Sequence, residues 1–269
     1  MKTTISILVF FISILGFSQE KLRDNFNYKV TYKLDFKLDS TSSKVRTEYM
    51  ILYIGDNLSQ FSSRAHTLAN PIVRKGNSAS TSRAAVTKFF LVTIKNRSLS
   101  KIYNSLFIPM DQFYYTQSSE LFDWKIENQT KLIEGYKVQK AATSFAGRDY
   151  VAWFTPEIPI SDGPYKFNGL PGLILEIADK EKEYVFTFVG LEKLTPRIPF
   201  KINFKSYISD SREKIQKRFY TYRKDPMTYM RAQNVNKQNK IPPAYHKKMV
   251  ESFTKMLEKE NNPIELENN

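Results

Sequence analysis

The chain has 269 residues, no cysteine, two histidines and a formal net charge of +14 at pH 7. The lack of cysteine excludes disulfides, thiolate nucleophiles and cysteine-ligated metal centres, and two histidines are too few for a three-histidine metal site. Apolar residues make up 41% and aromatic residues 14% of the chain, a composition that supports a hydrophobic core and favours strands.

The first 18 residues have the pattern of a secretory signal peptide. Lys2 precedes an apolar run over residues 5–17, and Gly16 and Ser18 are small residues at positions −3 and −1 of a cleavage site before Gln19. The apolar run is shorter than the roughly 20 residues that a transmembrane helix needs, although an uncleaved anchor is the alternative. We therefore expect an exported protein, periplasmic or secreted, with no transmembrane segment in the mature chain.

Alternating sequence after this leader predicts an antiparallel sheet. Residues 28–38 alternate between apolar and polar side chains, which predicts a strand with one buried face. Residues 47–54 predict the returning strand, and the polar residues 55–87 predict a surface loop with a short helix. Further short strands are predicted at 89–94, 103–107, 113–116, 124–127, 136–142, 150–155, 172–177, 184–189 and 200–204. Their spacing predicts a mainly β (α+β) fold, either a curved antiparallel meander sheet or a half-barrel.

Two helices are predicted near the C-terminus. The first has a weak capping box from Asp210 to Glu213 and ends before Pro226, and the second begins at Pro243. The apolar stripe of the second helix comprises Tyr245, Met249, Phe253, Met256 and Leu257. Both helices belong to the single domain expected over residues 19–269.

Positive charge is concentrated in this helical part, about residues 197–260. It contains 16 Lys and Arg against 6 Asp and Glu, a net charge of +10 out of the total of +14. Such a segment is attracted to anionic lipid headgroups, lipopolysaccharide phosphates or nucleic acid, whereas a solvated helix surface is the simpler alternative. The sequence contains no recognised nucleic-acid-binding module.

The motifs of residues 141–191 resemble those of a known family. The first block comprises Phe145, Gly147, Arg148, Tyr150, Ala152 and Trp153. The motif itself follows as Gly169, Leu170, Pro171, Gly172, Leu173 and Ile174. Together with the matching segments 155–159, 163–167 and 262–266, these residues identify the chain as resembling the GLPGLI family of exported Bacteroidetes proteins.

The resemblance implies no catalytic residue, because the GLPGLI family has no established activity. One position departs from the pattern: Val138 occupies the place where family members often carry a cysteine. Any thiol or metal role of that cysteine in relatives is therefore absent from this chain.

The GLPGLI motif predicts a sharp bend in the chain. Gly169 and Gly172 permit positive φ angles or a close backbone approach, and Pro171 lacks an N–H and keeps Leu170 extended. A tight bend or bulge that leads Leu173 into a buried strand is the structural interpretation. The alternative is a loop that contacts a ligand or partner, whose candidate binding residues are Arg148, Trp153, Tyr165, Phe167 and Leu170.

No catalytic constellation is evident. His66 lies in the polar loop, His246 lies on the basic helix, and motifs for a nucleophile elbow, a metal site, a P-loop or a dinucleotide are absent. We therefore assign no catalytic residue, no metal and no cofactor. A carboxylate-dependent hydrolase remains the enzymatic alternative, with a pair drawn from Glu157, Asp162 and Glu176. The same three acids are the expected ion-pair partners of Arg148.

The favoured hypothesis is a non-enzymatic periplasmic or envelope binding or accessory protein. Its curved sheet would offer an apolar concavity or a sheet edge to an envelope protein, a peptide or a lipidic ligand. A hydrolase near the GLPGLI bend, and a binder of anionic surfaces through the basic C-terminal part, are the two alternatives.

Overall fold

The computed structural model describes residues 21–69, 87–232 and 242–266, so the predicted signal peptide lies outside the described residues. Within them the chain is mainly β, with one sheet of twelve strands. The strands are β1 (Lys21–Phe36), β2 (Arg46–Gly55), β3 (Leu58–Ser63), β4 (Val92–Asn96), β5 (Lys101–Ile108), β6 (Asp111–Ser118), β7 (Lys125–Ile133), β8 (Tyr136–Phe145), β9 (Arg148–Thr155), β10 (Leu173–Asp179), β11 (Tyr184–Asn203) and β12 (Ile208–Ser209). The helices are α1 (Arg64–Ala69), α2 (Arg212–Lys224), α3 (Pro226–Ala232) and α4 (Pro243–Glu258).

The sheet consists of two meanders joined at its centre. Its strand order is β12-β6-β5-β4-β3-β2-β1-β11-β10-β9-β8-β7. Strands β1 to β6 pair with their neighbours in sequence, as do β7 to β11, and the long strands β1 and β11 pair antiparallel from Lys21↔Asn203 to Phe36↔Tyr184. The short β12 pairs parallel with β6 and is the exception to the antiparallel pattern. The predicted mainly β fold with helices near the C-terminus is confirmed.

Two details of the predicted strands were wrong. Residues 58–63, assigned to a polar loop, form β3 between β2 and β4, and this strand buries Leu58 and Phe61. Its serines are small enough to be buried beside them, which is why the segment has the composition of a loop. The two strands predicted at 184–189 and 200–204 form the single strand β11, because β1 pairs with both parts.

Side chains from both meanders form the main core, which also includes the chain between β9 and β10. Tyr32 and Phe61 from the first meander meet Phe154 and Phe186 from the second, and all four are buried. The β9–β10 connection, residues 156–172, adds Ile158, Tyr165, Phe167 and Leu170 to the same cluster, and the C-terminal segment adds Ile264. The apolar concavity that we expected from the sequence is thus filled by the chain's own side chains.

The C-terminal helices pack beside this core. Ser211 rather than Asp210 is the N-cap of α2, since its hydroxyl accepts a hydrogen bond from the Lys214 amide. Ile215 of α2 is buried against Phe113 of β6. The predicted apolar stripe of α4 is only partly covered. Leu257 is buried, Met249 and Phe253 are half-buried, and Tyr245 and Met256 are exposed. In the described part of the chain, none of the helices has the length and apolar character to cross a bilayer.

Candidate functional site

Gly172 closes the connection between β9 and β10. Its φ is +151°, and a Cβ at this position would lie 2.1 Å from the carbonyl oxygen of Thr155. The Gly172 amide donates to the Leu170 carbonyl at 2.8 Å, and Leu173 then pairs with Thr155 in the β9–β10 ladder. The end of the GLPGLI motif is therefore a bend in which two backbones touch, and a glycine is needed for that contact.

The candidate binding residues from the sequence lie in different environments. Tyr165, Phe167 and Leu170 are fully buried, and the ring of Phe167 lies 4.8 Å from that of Tyr150. Trp153 is partly exposed on the sheet, opposite Glu176 and with the Lys131 ammonium 4.4 Å from its ring centroid. Burial of the first three supports the structural interpretation of the motif, whereas Trp153 retains surface that a partner can contact.

Arg148 is buried in a set of acceptors at one end of the sheet. Its guanidinium donates to Asp179 at 2.7 Å, to Glu183 at 3.0 Å and to the Pro263 carbonyl at 3.0 Å. It also donates to the side chain of Asn262. Because Asp179 is itself fully buried, the pair joins β9, β10 and the C-terminal segment through charges that no solvent screens.

The expectation that Arg148 pairs with Glu157, Asp162 or Glu176 was wrong. Arg148 begins β9, and in the antiparallel ladder this end of β9 lies beside Asp179 at the end of β10. Glu176 is paired further along β10, and the other two acids follow the opposite end of β9. The register of the β9–β10 pair, which the sequence pattern left open, determines the partner.

The C-terminal segment, residues 262–266, is held by hydrogen bonds from three buried tyrosines. Tyr184 donates to the Asn262 carbonyl at 2.6 Å, Tyr150 to the Ile264 carbonyl at 3.1 Å and Tyr165 to the Glu265 carboxylate at 2.6 Å. Sequence reasoning noted the motif in this segment but missed its contacts. The tyrosines of the 150–184 region were the signal, since a buried hydroxyl requires a partner.

We expect the protein to lose stability steeply above pH 10. Burial raises the pKa of Tyr32, Tyr150, Tyr165 and Tyr184 above the ordinary value of 10. Because the folded-state pKa is raised, the unfolded chain releases the tyrosine proton first as the pH rises. The contribution of each of the four tyrosines to the free energy of unfolding therefore falls by about 1 kcal/mol between pH 10 and pH 11. Urea denaturation at pH 9, 10 and 11 measures this loss, and a midpoint that does not move would contradict the burial of these hydroxyls.

Glu265 also binds two cations. Lys166 lies 2.5 Å from its carboxylate, as does Arg212 of α2, and all three side chains are buried or nearly so. Burial lowers the pKa of Lys166 to about 8, opposed by the nearby Glu265 charge. From pH 8 to the ordinary lysine pKa of 10.5 the unfolded chain binds more protons at Lys166, so the contribution of Lys166 to stability rises with pH in that window.

A polar cleft opens where β4 and β6 meet the β9–β10 connection. Its lining residues are Lys95, Asn96, Arg97, Ser119, Ser161, Asp162 and Asn168. At its base the buried Lys95 lies 2.5 Å from the Asp162 carboxylate and 2.6 Å from the Gly163 carbonyl. Burial lowers the pKa of Lys95, opposed by Asp162. The sequence analysis did not select Lys95 or Arg97, since neither belongs to a motif.

The three carboxylates of the hydrolase alternative have separate partners. Asp162 is buried on Lys95, whereas the partly exposed Glu176 binds Lys131 at 2.8 Å. Glu157 is exposed and accepts from the Lys137 amide at 3.0 Å. Asp162 alone among them lines the polar cleft. This arrangement provides no observation in favour of a paired-carboxylate hydrolase.

Neither histidine joins a set of chemically useful groups. His246 of α4 lies 3.0 Å from Asp225, and burial lowers the pKa of His66. Among residues 21–69, 87–232 and 242–266, the structure brings no three His, Asp or Glu side chains together in a metal-binding arrangement.

The architecture defines a mainly β protein built on one open, largely antiparallel sheet. A family model described as a protein of unknown function (Porph_ging) matches residues 145–176, which is consistent with a Bacteroidetes family of unknown function. No curated protein matches the chain. The matched segment runs from the end of β8 to β10 and contains Arg148, Trp153, the buried connection and the GLPGLI motif.

Two solved structures of PNGF-II, in the C2 and P21 space groups, are similar to this chain. Sequence identity is 17% in both, with TM-scores of 0.52 and 0.53. The similarity covers 74% of this chain but 33% and 34% of PNGF-II, so the chain spans about a third of the length of that protein. At this level of identity the likeness concerns the fold alone.

Proposed function

We propose that the chain is an exported, non-enzymatic protein of the GLPGLI type that binds anionic surfaces of the cell envelope through its basic helices. In this proposal residues 1–18 are a signal peptide, residues 19–269 form one domain, and the mature protein acts in the periplasm or outside the cell. The leader-like first segment and the literal GLPGLI motif support export and family, respectively. The filled interior of the sheet supports an outer surface, rather than an internal cavity, as the place of binding.

Unpaired lysines on α2 and α4 are the observation that carries this proposal. In the described part of the chain, five exposed lysines of these helices form no ion pair: Lys217, Lys224, Lys247, Lys248 and Lys255. The exposed acids of the same helices are Glu213 in the first turn of α2, and Glu251 and Glu258 on α4. A positive surface with so few acid partners raises the local concentration of anions, and of anionic interfaces above all.

Exposed apolar side chains among these lysines favour a lipid interface as the partner. Tyr245 and Met256 of α4 are 64% and 37% exposed, and Tyr220 of α2 is 49% exposed. Tyr245 precedes Lys248 by one helical turn, so these two side chains lie on the same face of α4. Lysines with intervening aromatic and flexible apolar side chains are typical of helices that lie on anionic headgroups, where the apolar groups enter the boundary layer.

Vesicle co-sedimentation tests the proposal. We expect binding to vesicles that contain phosphatidylglycerol and little binding to phosphatidylcholine alone. Binding should weaken as the ionic strength rises from ~0.01 to ~0.15 M, because the screening length falls from about 30 to 8 Å. Reversal of Lys217, Lys248 and Lys255 to glutamate should reduce the affinity by at least about a hundredfold, since each lysine near the surface contributes about 1 kcal/mol.

The matched control reverses three exposed lysines away from the helices. Lys44, Lys125 and Lys180 lie in a turn, on the edge strand β7 and after β10. The control variant has the same net charge as the helix variant, so it should keep most of the binding if the helices are the contact. Equal losses in the two variants, or equal binding to both kinds of vesicle, would overturn the proposal.

A further inference from the structure

The polar cleft beside Arg97 has a charge imbalance. Its floor is the buried pair of Lys95 and Asp162, 2.5 Å apart. Lys95 also donates to the carbonyls of Gly163 at 2.6 Å, Tyr165 at 3.1 Å and Phe167 at 3.3 Å. The Lys95 ammonium has three N–H groups and is thus fully engaged by protein acceptors. Because the two cations Lys95 and Arg97 face the single carboxylate of Asp162, the cleft carries a net charge of about +1.

Arg97 is held in a fixed orientation at the rim. One terminal nitrogen donates to the Gly55 carbonyl at 2.5 Å and the other lies 3.3 Å from Asp162. The side chain is 31% exposed, so part of the guanidinium faces the cleft and the solvent. A guanidinium has five N–H donors, and the two contacts to protein leave donors for a ligand in a fork whose geometry is already set.

Two hydroxyl groups line the same cleft and have no partner in the described residues. Ser119 lies after β6, and Ser161 lies in the β9–β10 connection beside Asp162. Neither hydroxyl takes part in a hydrogen bond within this part of the structure, whereas Asn168, also in the lining, donates to the Ser119 and Lys166 carbonyls. Ser161 is exposed and Ser119 is partly exposed, so both hydroxyls are accessible to a ligand that binds beside the guanidinium.

We propose that this cleft is a binding site for a small monovalent carboxylate, held by Arg97 with Ser119 and Ser161. A planar carboxylate matches the guanidinium fork and is neutralised by the one uncompensated positive charge. A phosphate brings up to two negative charges and has the buried Asp162 carboxylate as neighbour, so the carboxylate is the better match. The enclosed part of the cleft measures about 20 Å³, which suits the two oxygens of a carboxylate head group and leaves the rest of the ligand in solvent.

An NMR titration of the purified protein tests this site. Sodium acetate should shift the backbone amide signals of Arg97, Ser119, Ser161 and Asn168 in a saturable manner. Sodium chloride at the same ionic strength should not, and phosphate should bind more weakly than acetate. A shift that stays linear with acetate, or that chloride reproduces, would overturn the proposal.

Two sources of a carboxylate are separated by a second titration. A short peptide with a free C-terminus is compared with the same peptide carrying a C-terminal amide. Tighter binding of the acid peptide than of acetate identifies a polypeptide terminus as the ligand, and equal binding identifies a free small carboxylate. Both results require a free carboxylate. If the peptide amide bound as tightly as the peptide acid, the proposal of a carboxylate site would be contradicted.

Variants of Arg97 assign the contact. Arg97→Lys keeps the positive charge beside Asp162 but removes the fork, and we expect the acetate affinity to fall at least about tenfold. Arg97→Gln should abolish saturable binding. The control is Arg197→Gln, because Arg197 is an exposed arginine 3.4 Å from Asp56 and lies outside the cleft. Unchanged acetate affinity in Arg97→Lys, with its fold verified by the amide spectrum, would refute the role of the fork.

Discussion

Replacement of Gly172 by alanine should destabilise the protein by about 3 kcal/mol or more. The new Cβ would lie 2.1 Å from the Thr155 carbonyl oxygen, at a φ of +151° that L-residues rarely adopt. The position of the Cβ is set by the backbone at residue 172, and the Thr155 oxygen is itself backbone anchored by the β9–β10 ladder, so no side-chain rotation relieves the contact. Urea denaturation followed by tryptophan fluorescence measures the loss. Trp124 is a suitable probe because its indole donates to the Asn168 carbonyl at 2.8 Å.

Gly190→Ala is the matched control for this substitution. Gly190 lies in β11, where a Cβ would meet no atom within 4 Å and where φ is not positive. Its substitution should change the stability by no more than about 0.5 kcal/mol. If Gly172→Ala unfolded at the same urea concentration as Gly190→Ala, the close contact of the two backbones would not be a feature of the folded protein.

Replacement of Arg148 by methionine should cost about 3–5 kcal/mol, because it leaves the buried Asp179 carboxylate without a counter-charge. Asp179 has a fully buried side chain and lies 2.7 Å from the guanidinium. The substitution also removes the donors to Asn262 and to the Pro263 carbonyl. For a chain of this size we expect a melting temperature lower by about 6–20 °C.

Two further variants distinguish charge from geometry at Arg148. Arg148→Lys keeps a positive charge beside Asp179 and should lose less than Arg148→Met, whereas hydrogen exchange of residues 262–266 should accelerate in both. Arg197→Met is the control, since its pair with Asp56 is more than half exposed on both sides and should contribute less than about 1 kcal/mol. Slow exchange of the C-terminal segment in Arg148→Met would show that Arg148 does not hold it.

These two predictions assign a structural role to most of the segment that the family model matches. Arg148, Phe167 and Gly172 hold the β9–β10 connection and the C-terminal segment against the sheet, and all three are inaccessible to a soluble partner in this conformation. The proposed binding surfaces lie elsewhere: on the exposed lysines of α2 and α4, and in the cleft beside Arg97. Of the five candidate binding residues, Trp153 is the one that remains partly exposed.

Local patterns in the sequence were sufficient for the types of most elements, although they missed β3 and α3. The alternation over residues 28–38 predicted β1, in which Val30, Leu34 and Phe36 are buried. The capping box from Asp210 to Glu213 and the proline at 226 predicted α2, which begins at Arg212 with Ser211 as its N-cap. Such features act over a few residues, through side-chain period, capping and the fixed φ of proline, and are therefore legible without the fold.

The tertiary structure decided every contact that defines the candidate sites. Lys95 and Asp162 are 67 residues apart in the chain and Arg148 and Asn262 are 114 apart, and no local pattern brings them together. Strand register selected Asp179 over three other acids as the partner of Arg148, since a shift along the ladder would exchange one acid for another. The sequence by itself determined strands, helices, the sharp bend and the basic C-terminal part. Which charges became buried pairs depended on long-range packing, because only the assembled sheet brings the partners together.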